Sequence, residues 1–265
     1  MAEPSGGSKF DIPGAVAIVT GGAGGIGSCI ARAYASAGAC VVLASRDAEA
    51  LERVASEITS GGGEALAIQA DITVPADVEE MVSRTVETFG RLDVLVNNAG
   101  GGARPKKAED TPYDEWQRVV DLNLTGTFLC CMAAGKQMIE QNSGNIINIS
   151  SVAGTKGNPG MLHYSAAKAG VISLSNNLAF MWAKHDIRVN CVAPGLIATP
   201  AMKSYPGVIE PAEREDGTPV PRLERPPEPE DVADLCLFLA SPASSLITGE
   251  LIPIRSWTRL DRFWN

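Results

Sequence analysis

Ala15-Val16-Ala17-Ile18-Val19-Thr20-Gly21-Gly22-Ala23-Gly24-Gly25-Ile26-Gly27 is the stretch on which the fold turns. Its first five residues are apolar and too few for a helix of ordinary length, so they predict a short strand buried on both faces. The glycines that follow permit a tight turn, and the pattern from there to about Gly38 is helical. Strand, glycine turn and helix in that order can hold a pyrophosphate: small residues let the backbone approach it, and free N–H groups at the helix start meet its charge. A flexible glycine linker is excluded because apolar periodic segments abut the run on both sides.

Working outward, residues 40–44 predict a second strand ending at Ser45-Arg46, and residues 47–60 a helix with Asp47 as its N-cap and Gly61 to Gly63 after it. Residues 64–70 form a third strand ending at Asp71, and 75–89 another helix. A fourth strand, 92–96, closes on Asn97-Asn98-Ala99-Gly100, and a long helical region over 112–141 contains Asn123. A fifth strand, 144–149, ends at Ser150-Ser151, and a sixth, 188–193, at Pro194-Gly195. Helix 230–240 and strand 251–254 complete the set. Alternating strands and helices without an internal repeat predict an α/β fold, a single Rossmann-type doubly wound parallel sheet of about seven strands with helices on both faces. Such sheets bind ligands at the carboxyl ends of their strands. The glycine turn, Arg46, Asp71, Asn97, Ser151 and Pro194 all follow strands and therefore share one rim.

The corner after the second strand is where such folds read an adenosine ribose. A carboxylate there accepts from a free 2′-hydroxyl, whereas an arginine pairs with a 2′-phosphate. Ser45 and Arg46 occupy the corner, so NADP(H) is favoured, with NAD(H) possible because Asp47 either caps its helix or reaches the ribose.

Tyr164-Ser165-Ala166-Ala167-Lys168 lies on the helix after the fifth strand, and its spacing of four puts Tyr164 and Lys168 on one face. A phenol with a pKa near ~10 is a poor acid or base at neutral pH, and an adjacent ammonium favours its ionised form. The pair suits proton transfer, although Tyr-x-x-x-Lys also occurs on ordinary solvated helices.

Composition narrows the function classes. A formal net charge of -9 leaves no basic footprint for a nucleic acid. No apolar run is long enough to span a membrane, and residues 1–9 lack the apolar core of a secretory signal. Six cysteines, Cys29, Cys40, Cys130, Cys131, Cys191 and Cys236, have neither metal-ligand nor redox spacing and read as reduced small hydrophobes, so no metal is expected and a cytoplasmic location is. Residues 1–10 read as a flexible tail and 11–265 as one dinucleotide-binding catalytic domain.

Several segments leave alternatives open. Residues 196–229, rich in proline, read as a substrate lid or a disordered insertion. Aromatic residues Trp257, Phe263 and Trp264 pack against another subunit or back on their own chain. Arg104-Pro105-Lys106-Lys107 either receives an acidic handle, such as acyl-CoA phosphates or an acyl carrier protein surface, or is a solvated basic loop. His163 reads as a locally satisfied helix-start histidine in preference to a pocket residue, and His185 as a C-terminal helix residue.

Taken together, these motifs resemble the short-chain dehydrogenase/reductase family from about Val16 to Ile254. The likeness is carried by Thr20-Gly21 with Gly25-Ile26-Gly27, by Asn97-Asn98-Ala99-Gly100, by Asp121-Leu122-Asn123, by Ser151 thirteen residues before Tyr164, by Lys168, and by Pro194-Gly195 with Thr199. The resemblance implies an enzyme transferring a hydride between NADP(H) and a carbonyl or secondary alcohol, of ketone or 3-oxoacyl type. An NAD(H)-dependent alcohol, hydroxysteroid or sugar dehydrogenase is the alternative within the family; a non-catalytic nucleotide-binding regulator is the one outside it. It implies Tyr164 as general acid or base, Ser151 as hydrogen-bond donor to the substrate oxygen, Lys168 as the group that holds the nicotinamide ribose and lowers the tyrosine pKa, and Asn123 as the support of a water beside Lys168. Cofactor contacts are implied at Gly21, Gly25, Ile26 and Gly27, at Ser45 and Arg46, at Asp71 and Ile72, at Asn97, Ala99 and Gly100, and at Tyr164, Lys168, Pro194, Gly195, Ile197 and Thr199. A homotetramer or homodimer is implied as well, with the end-to-end contact in doubt: Ile252-Pro253-Ile254-Arg255-Ser256-Trp257 replaces the acidic residue and two glycines usual after the last strand.

Overall fold

The computed structural model describes residues 8–101, 105–204, 212–214 and 216–256. Among them a strand β1, Val16–Thr20, leads into helix α1, Gly25–Ser36; β2, Cys40–Ser45, into α2, Ala48–Ser60; and β3, Glu64–Gln69, into α3, Pro75–Phe89. After β4, Val94–Asn97, come α4, Tyr113–Val120, and α5, Gly126–Gln141, joined through a π-helical turn at Asp121–Thr125. β5, Gly144–Ile149, is followed by a short α6, Ala153–Lys156, and a long α7, Leu162–Trp182. β6, Ile187–Pro194, a short α8, Pro200–Lys203, α9, Pro229–Ala240, and β7, Leu251–Ile254, complete the order.

All strand pairs are parallel and the sheet runs β3-β2-β1-β4-β5-β6-β7. Strand order reverses between β1 and β4, which opens a crevice above their carboxyl ends. Both faces are covered. On one, Tyr34 of α1 is fully buried with Leu51 of α2 and Val232 and Leu239 of α9. Its hydroxyl donates to the Cys236 carbonyl at 2.9 Å, so this buried polar atom is satisfied. On the other face Met81 of α3, Met138 of α5 and Trp182 of α7 pack over Ile18, Leu95 and Ile146.

Local chemistry ends these elements, at Asp47 as the sequence predicts. Asp47 is the N-cap of α2, its carboxylate accepting from Ala50 N–H at 3.0 Å. Gly90 closes α3 in the left-handed region at φ 78°. Pro253 sits in β7, an edge strand, where a missing donor is tolerated. The expected long helix over 112–141 is interrupted by the π turn, which sequence periodicity cannot show.

Trp257, Phe263 and Trp264 lie outside the described residues, as do Arg104 and Tyr205, Val208 and Ile209 of the expected lid. The described parts of that segment are α8, a single bridge between Glu213 and Pro219, and a 3-10 turn at Arg222–Glu224.

Candidate active site

A cleft of about 640 Å³ lies above the switch point, lined by the glycine turn, Ser45, Arg46, Ala99, Gly100, Ser151, Tyr164, Lys168, Pro194, Gly195, Ile197 and Thr199. Its floor is the turn between β1 and α1. Gly21 has φ 65°, a conformation that side chains resist, and a Cβ on Gly27 would stand 2.2 Å from the Gly21 carbonyl oxygen. The wall at Gly25 is formed by Thr199, 3.2 Å from the position of a Cβ there. No side chain caps α1, and no carboxylate sits in its first turn. A helix start left that way is fitted to an anion, so the cradle suits the pyrophosphate of a nicotinamide dinucleotide.

Thr20 Oγ1 fastens the turn to the segment after β4, accepting from the backbone N–H of Asn98 and of Ala99 at 3.1 Å each. Asn98 also donates to the carbonyls of Thr20 and Gly21, at 3.0 and 3.3 Å. Asn98 belongs to the quoted motif but is not among the cofactor contacts that the resemblance implies. Its signal was the strand-end alternation that points Asn97 and Asn98 in opposite directions. Asn97 turns away from the cleft instead. It is buried and donates to Asn148 at 2.9 Å.

At the adenosine corner Arg46 is largely exposed and 3.8 Å from Asp71. Hydrogen bonds from Thr73 and the nearby guanidinium hold the Asp71 carboxyl below the usual carboxylate range, against the opposing effect of burial, which is the largest single influence. Asp71 borders the cleft through Arg46 rather than lining it, and Ile72 packs beneath, close against Gly126. Asp47 caps α2 through one carboxylate oxygen and also lines the cleft.

The reacting end gathers Ser151, Tyr164 and Lys168. Lys168 is buried, donates to the Ile149 carbonyl at 2.8 Å and lies over the Tyr164 ring, 5.7 Å from its centroid. Burial pulls its ammonium down to about 8, with a small opposing effect from Cys191. Burial also raises the Tyr164 phenol above its ordinary value, and a hydrogen bond with Ser151 only partly offsets this. The expected lowering of the tyrosine by Lys168 is therefore corrected: in the free protein desolvation of the phenol prevails. Ser151 Oγ accepts from Ala153 N–H at 3.2 Å and donates to the Pro194 carbonyl at 3.4 Å, a long bond that a better acceptor displaces.

Asn123 lies within the π turn, where interrupted helical bonding frees side chains for other partners. It is fully buried, accepts from Gly101 N–H at 2.8 Å and donates to the Gly101 and Val119 carbonyls at 2.9 Å each. Its oxygen and the Lys168 ammonium flank Gly100, 2.7 and 3.1 Å from where a Cβ would stand.

Two further expectations are corrected here. His163 is not satisfied locally: it is fully buried, and its Nε2 lies 3.4 Å from Glu115 of α4. Lys106 is committed to the same carboxylate, so the solvated-loop reading does not hold at Lys106, while Arg104 lies outside the described residues. Of the six thiols, Cys29 and Cys40 are half-buried and donate to Glu230 and Glu64; burial and those carboxylates raise both to about 11, so neither is a thiolate at neutral pH.

A glycine cradle at a switch point with a tyrosine and a lysine at its far end defines a dinucleotide-dependent oxidoreductase. The family model described as short chain dehydrogenase matches residues 15–207, and the chain belongs to that family. It is 43% identical over 240 residues to a 3-oxoacyl-[acyl-carrier-protein] reductase of Synechocystis, covering 89% of this chain and 93% of the relative. It is 37% identical over 246 residues to the 7alpha-hydroxysteroid dehydrogenase of Escherichia coli strain K12, covering 92% and 93%. Among solved structures, a short-chain type dehydrogenase/reductase from Mycobacterium marinum superposes with a TM-score of 0.83 at 39% identity, over 92% of this chain and 95% of that one. A 7 alpha-hydroxysteroid dehydrogenase complexed with NADH and 7-oxo glycochenodeoxycholic acid gives 0.83 at 34% identity, over 94% and 95%. The chain is an NAD(P)-dependent oxidoreductase acting on the carbonyl/alcohol couple. Among the described residues no helix is long and apolar enough to cross a membrane.

Proposed function

We propose that this enzyme uses NADP(H) to interconvert a ketone or 3-oxoacyl carbonyl with its secondary alcohol. The observation that carries the reading is the meeting of Ser151, Tyr164 and Lys168 at one end of a cleft whose other end holds the glycine cradle and Arg46. The bound cofactor supplies the hydride. Tyr164 Oη gives its proton to the carbonyl oxygen as the alcohol forms, and takes it back in the reverse direction. Ser151 exchanges its long bond to Pro194 for one to that same oxygen, fixing it beside the phenol. Lys168 holds the nicotinamide ribose, and its ammonium balances the phenolate left on Tyr164. Asn123 keeps Gly101 in place and supports a water beside Lys168.

NADP(H) is preferred over NAD(H) because Arg46 reaches into solvent at the ribose corner while Asp47 is occupied as a cap. The likeness to a hydroxysteroid dehydrogenase solved with NADH supports a second reading, an NAD(H)-dependent alcohol, hydroxysteroid or sugar dehydrogenase. A non-catalytic regulator is disfavoured by the retention of Tyr164 and Lys168 together. A cytoplasmic homodimer or homotetramer belongs to this reading. NADPH and NADH oxidation across 3-oxoacyl thioesters, steroid ketones, sugars and small ketones tests the assignment. Turnover with NADH alone would shift it to the second reading, and none with any carbonyl would remove it.

A further inference from the structure

Glu115 stands where three separate parts of the chain meet. It lies in the first turn of α4, 18% exposed, and its two oxygens face different partners. Oε2 accepts from Lys106, in the segment that leaves β4 past the cofactor cradle. Oε1 faces Nε2 of His163, the residue before Tyr164, at 3.4 Å. With its proton on Nε2 the imidazole donates to the carboxylate, and its fully buried Nδ1 has no partner. Backbone contacts reinforce the junction: Lys106 N–H donates to the Gly160 carbonyl at 2.9 Å, and a Cβ on Gly160 would stand 3.3 Å from Pro105.

Charge accounts for the strength of the junction. The Glu115 carboxyl is held below its ordinary range, by the Lys106 hydrogen bond first and by His163 in smaller measure, so it is an anion at neutral pH. Charge-assisted bonds of this kind are stronger than neutral ones. Lys106, only 26% exposed, is screened by water less than a surface lysine would be.

We infer that Glu115 is a positioning residue, which by bridging Lys106 and His163 clamps the segment after β4 to the first turn of α7 and so aims the Tyr164 hydroxyl at the substrate. The inference rests on the proposed role of Tyr164 and adds a device that sets its geometry. Lys106 thereby acts inside the protein instead of receiving an acidic handle.

The test compares Glu115→Gln, His163→Leu and His163→Gln in the full-length enzyme with the parent. Glutamine at 163 keeps an N–H donor toward Glu115, while leucine fills the space without one. Losing the clamp should lower kcat about tenfold in Glu115→Gln and His163→Leu, since misplacements near 1 Å cost up to about 100-fold. His163→Gln should recover most of that loss, and coenzyme affinity, read by fluorescence titration, should stay within about twofold of the parent in all three. Hydrogen exchange should rise in 105–110 and 158–165 together in the two damaging variants and nowhere else to the same degree. Unchanged exchange in those segments overturns the clamp, as does a loss of activity that follows the fraction unfolded or that His163→Gln fails to recover. Exchange does not need turnover, so it decides the clamp even if the parent reduces no carbonyl, a result that would count against the proposed function instead.

Discussion

The Lys168 ammonium lies over the ring of Tyr164, 5.7 Å from its centroid, and spends a hydrogen bond on the Ile149 carbonyl. Both groups are buried, and burial disfavours the charged form of each: the lysine falls to about 8 while the phenol rises.

Removing the phenol hydroxyl should separate binding from chemistry. Tyr164→Phe should bind NADPH within about twofold of the parent and lose roughly 10²–10⁴ in turnover, the range of general acid–base catalysis. Nucleotide fluorescence and steady-state oxidation measure the two quantities. Turnover near the parent's would remove Tyr164 as the acid.

Lys168 should cost the free protein stability. Its folded pKa of about 8 is below its unfolded value, so the folded state carries the charge at a penalty that is complete below pH 8 and fades as pH rises to the unfolded pKa. Neutral Lys168→Met should therefore melt no lower than the parent at pH 7. Any advantage it holds there should shrink between pH 8 and 10, as followed by circular dichroism without nucleotide. A variant that melts well below the parent at pH 7 would contradict the assigned penalty.

Arg46→Ala tests the ribose corner. The guanidinium is 72% exposed and only 3.8 Å from Asp71, so stability should change by less than about 1 kcal/mol. The ratio of kcat/KM for NADPH to that for NADH should fall about tenfold or more, since a charge-assisted pair to a phosphate is lost. An unchanged ratio would return the preference to NAD(H).

Asp47→Ala distinguishes a cap from a ribose ligand. Loss of the bond to Ala50 should cost about 1 kcal/mol in urea unfolding while leaving the coenzyme ratio alone. A large gain for NADPH with unchanged stability would show the opposite role.

Gly27→Ala should damage the cradle itself. A Cβ 2.2 Å from the Gly21 carbonyl forces the turn apart, at a cost of about 1–3 kcal/mol in stability together with most of the coenzyme affinity. Isothermal titration with either nucleotide gives the second quantity. Affinity within twofold of the parent would show that the turn relaxes without losing its ligand.

Much of this was readable in one dimension because the signals were local. The run from Ala15 to Gly27 joins a continuous apolar strand to a period-3.6 helix through glycines, and chain order then places Arg46, Ser151 and Pro194 at strand ends on one rim. Asp47 was legible as a cap from its type and place. Less local features were not. Strand alternation sends Asn97 and Asn98 opposite ways, but it does not name their partners: one donates to Asn148 and the other ties down Gly21. The π turn that holds Asn123 breaks no pattern of hydrophobicity.

The sequence by itself determined the order of elements, the parallel sheet, the glycine cradle and the spacing of Tyr164 and Lys168, since each depends on residues near one another in the chain. Tertiary structure alone decided that burial, more than the lysine, governs the free tyrosine. It alone decided that His163 faces Glu115, 48 residues earlier. Desolvation and long-range pairing depend on which surfaces the folded chain covers, and residue order along the chain does not specify that.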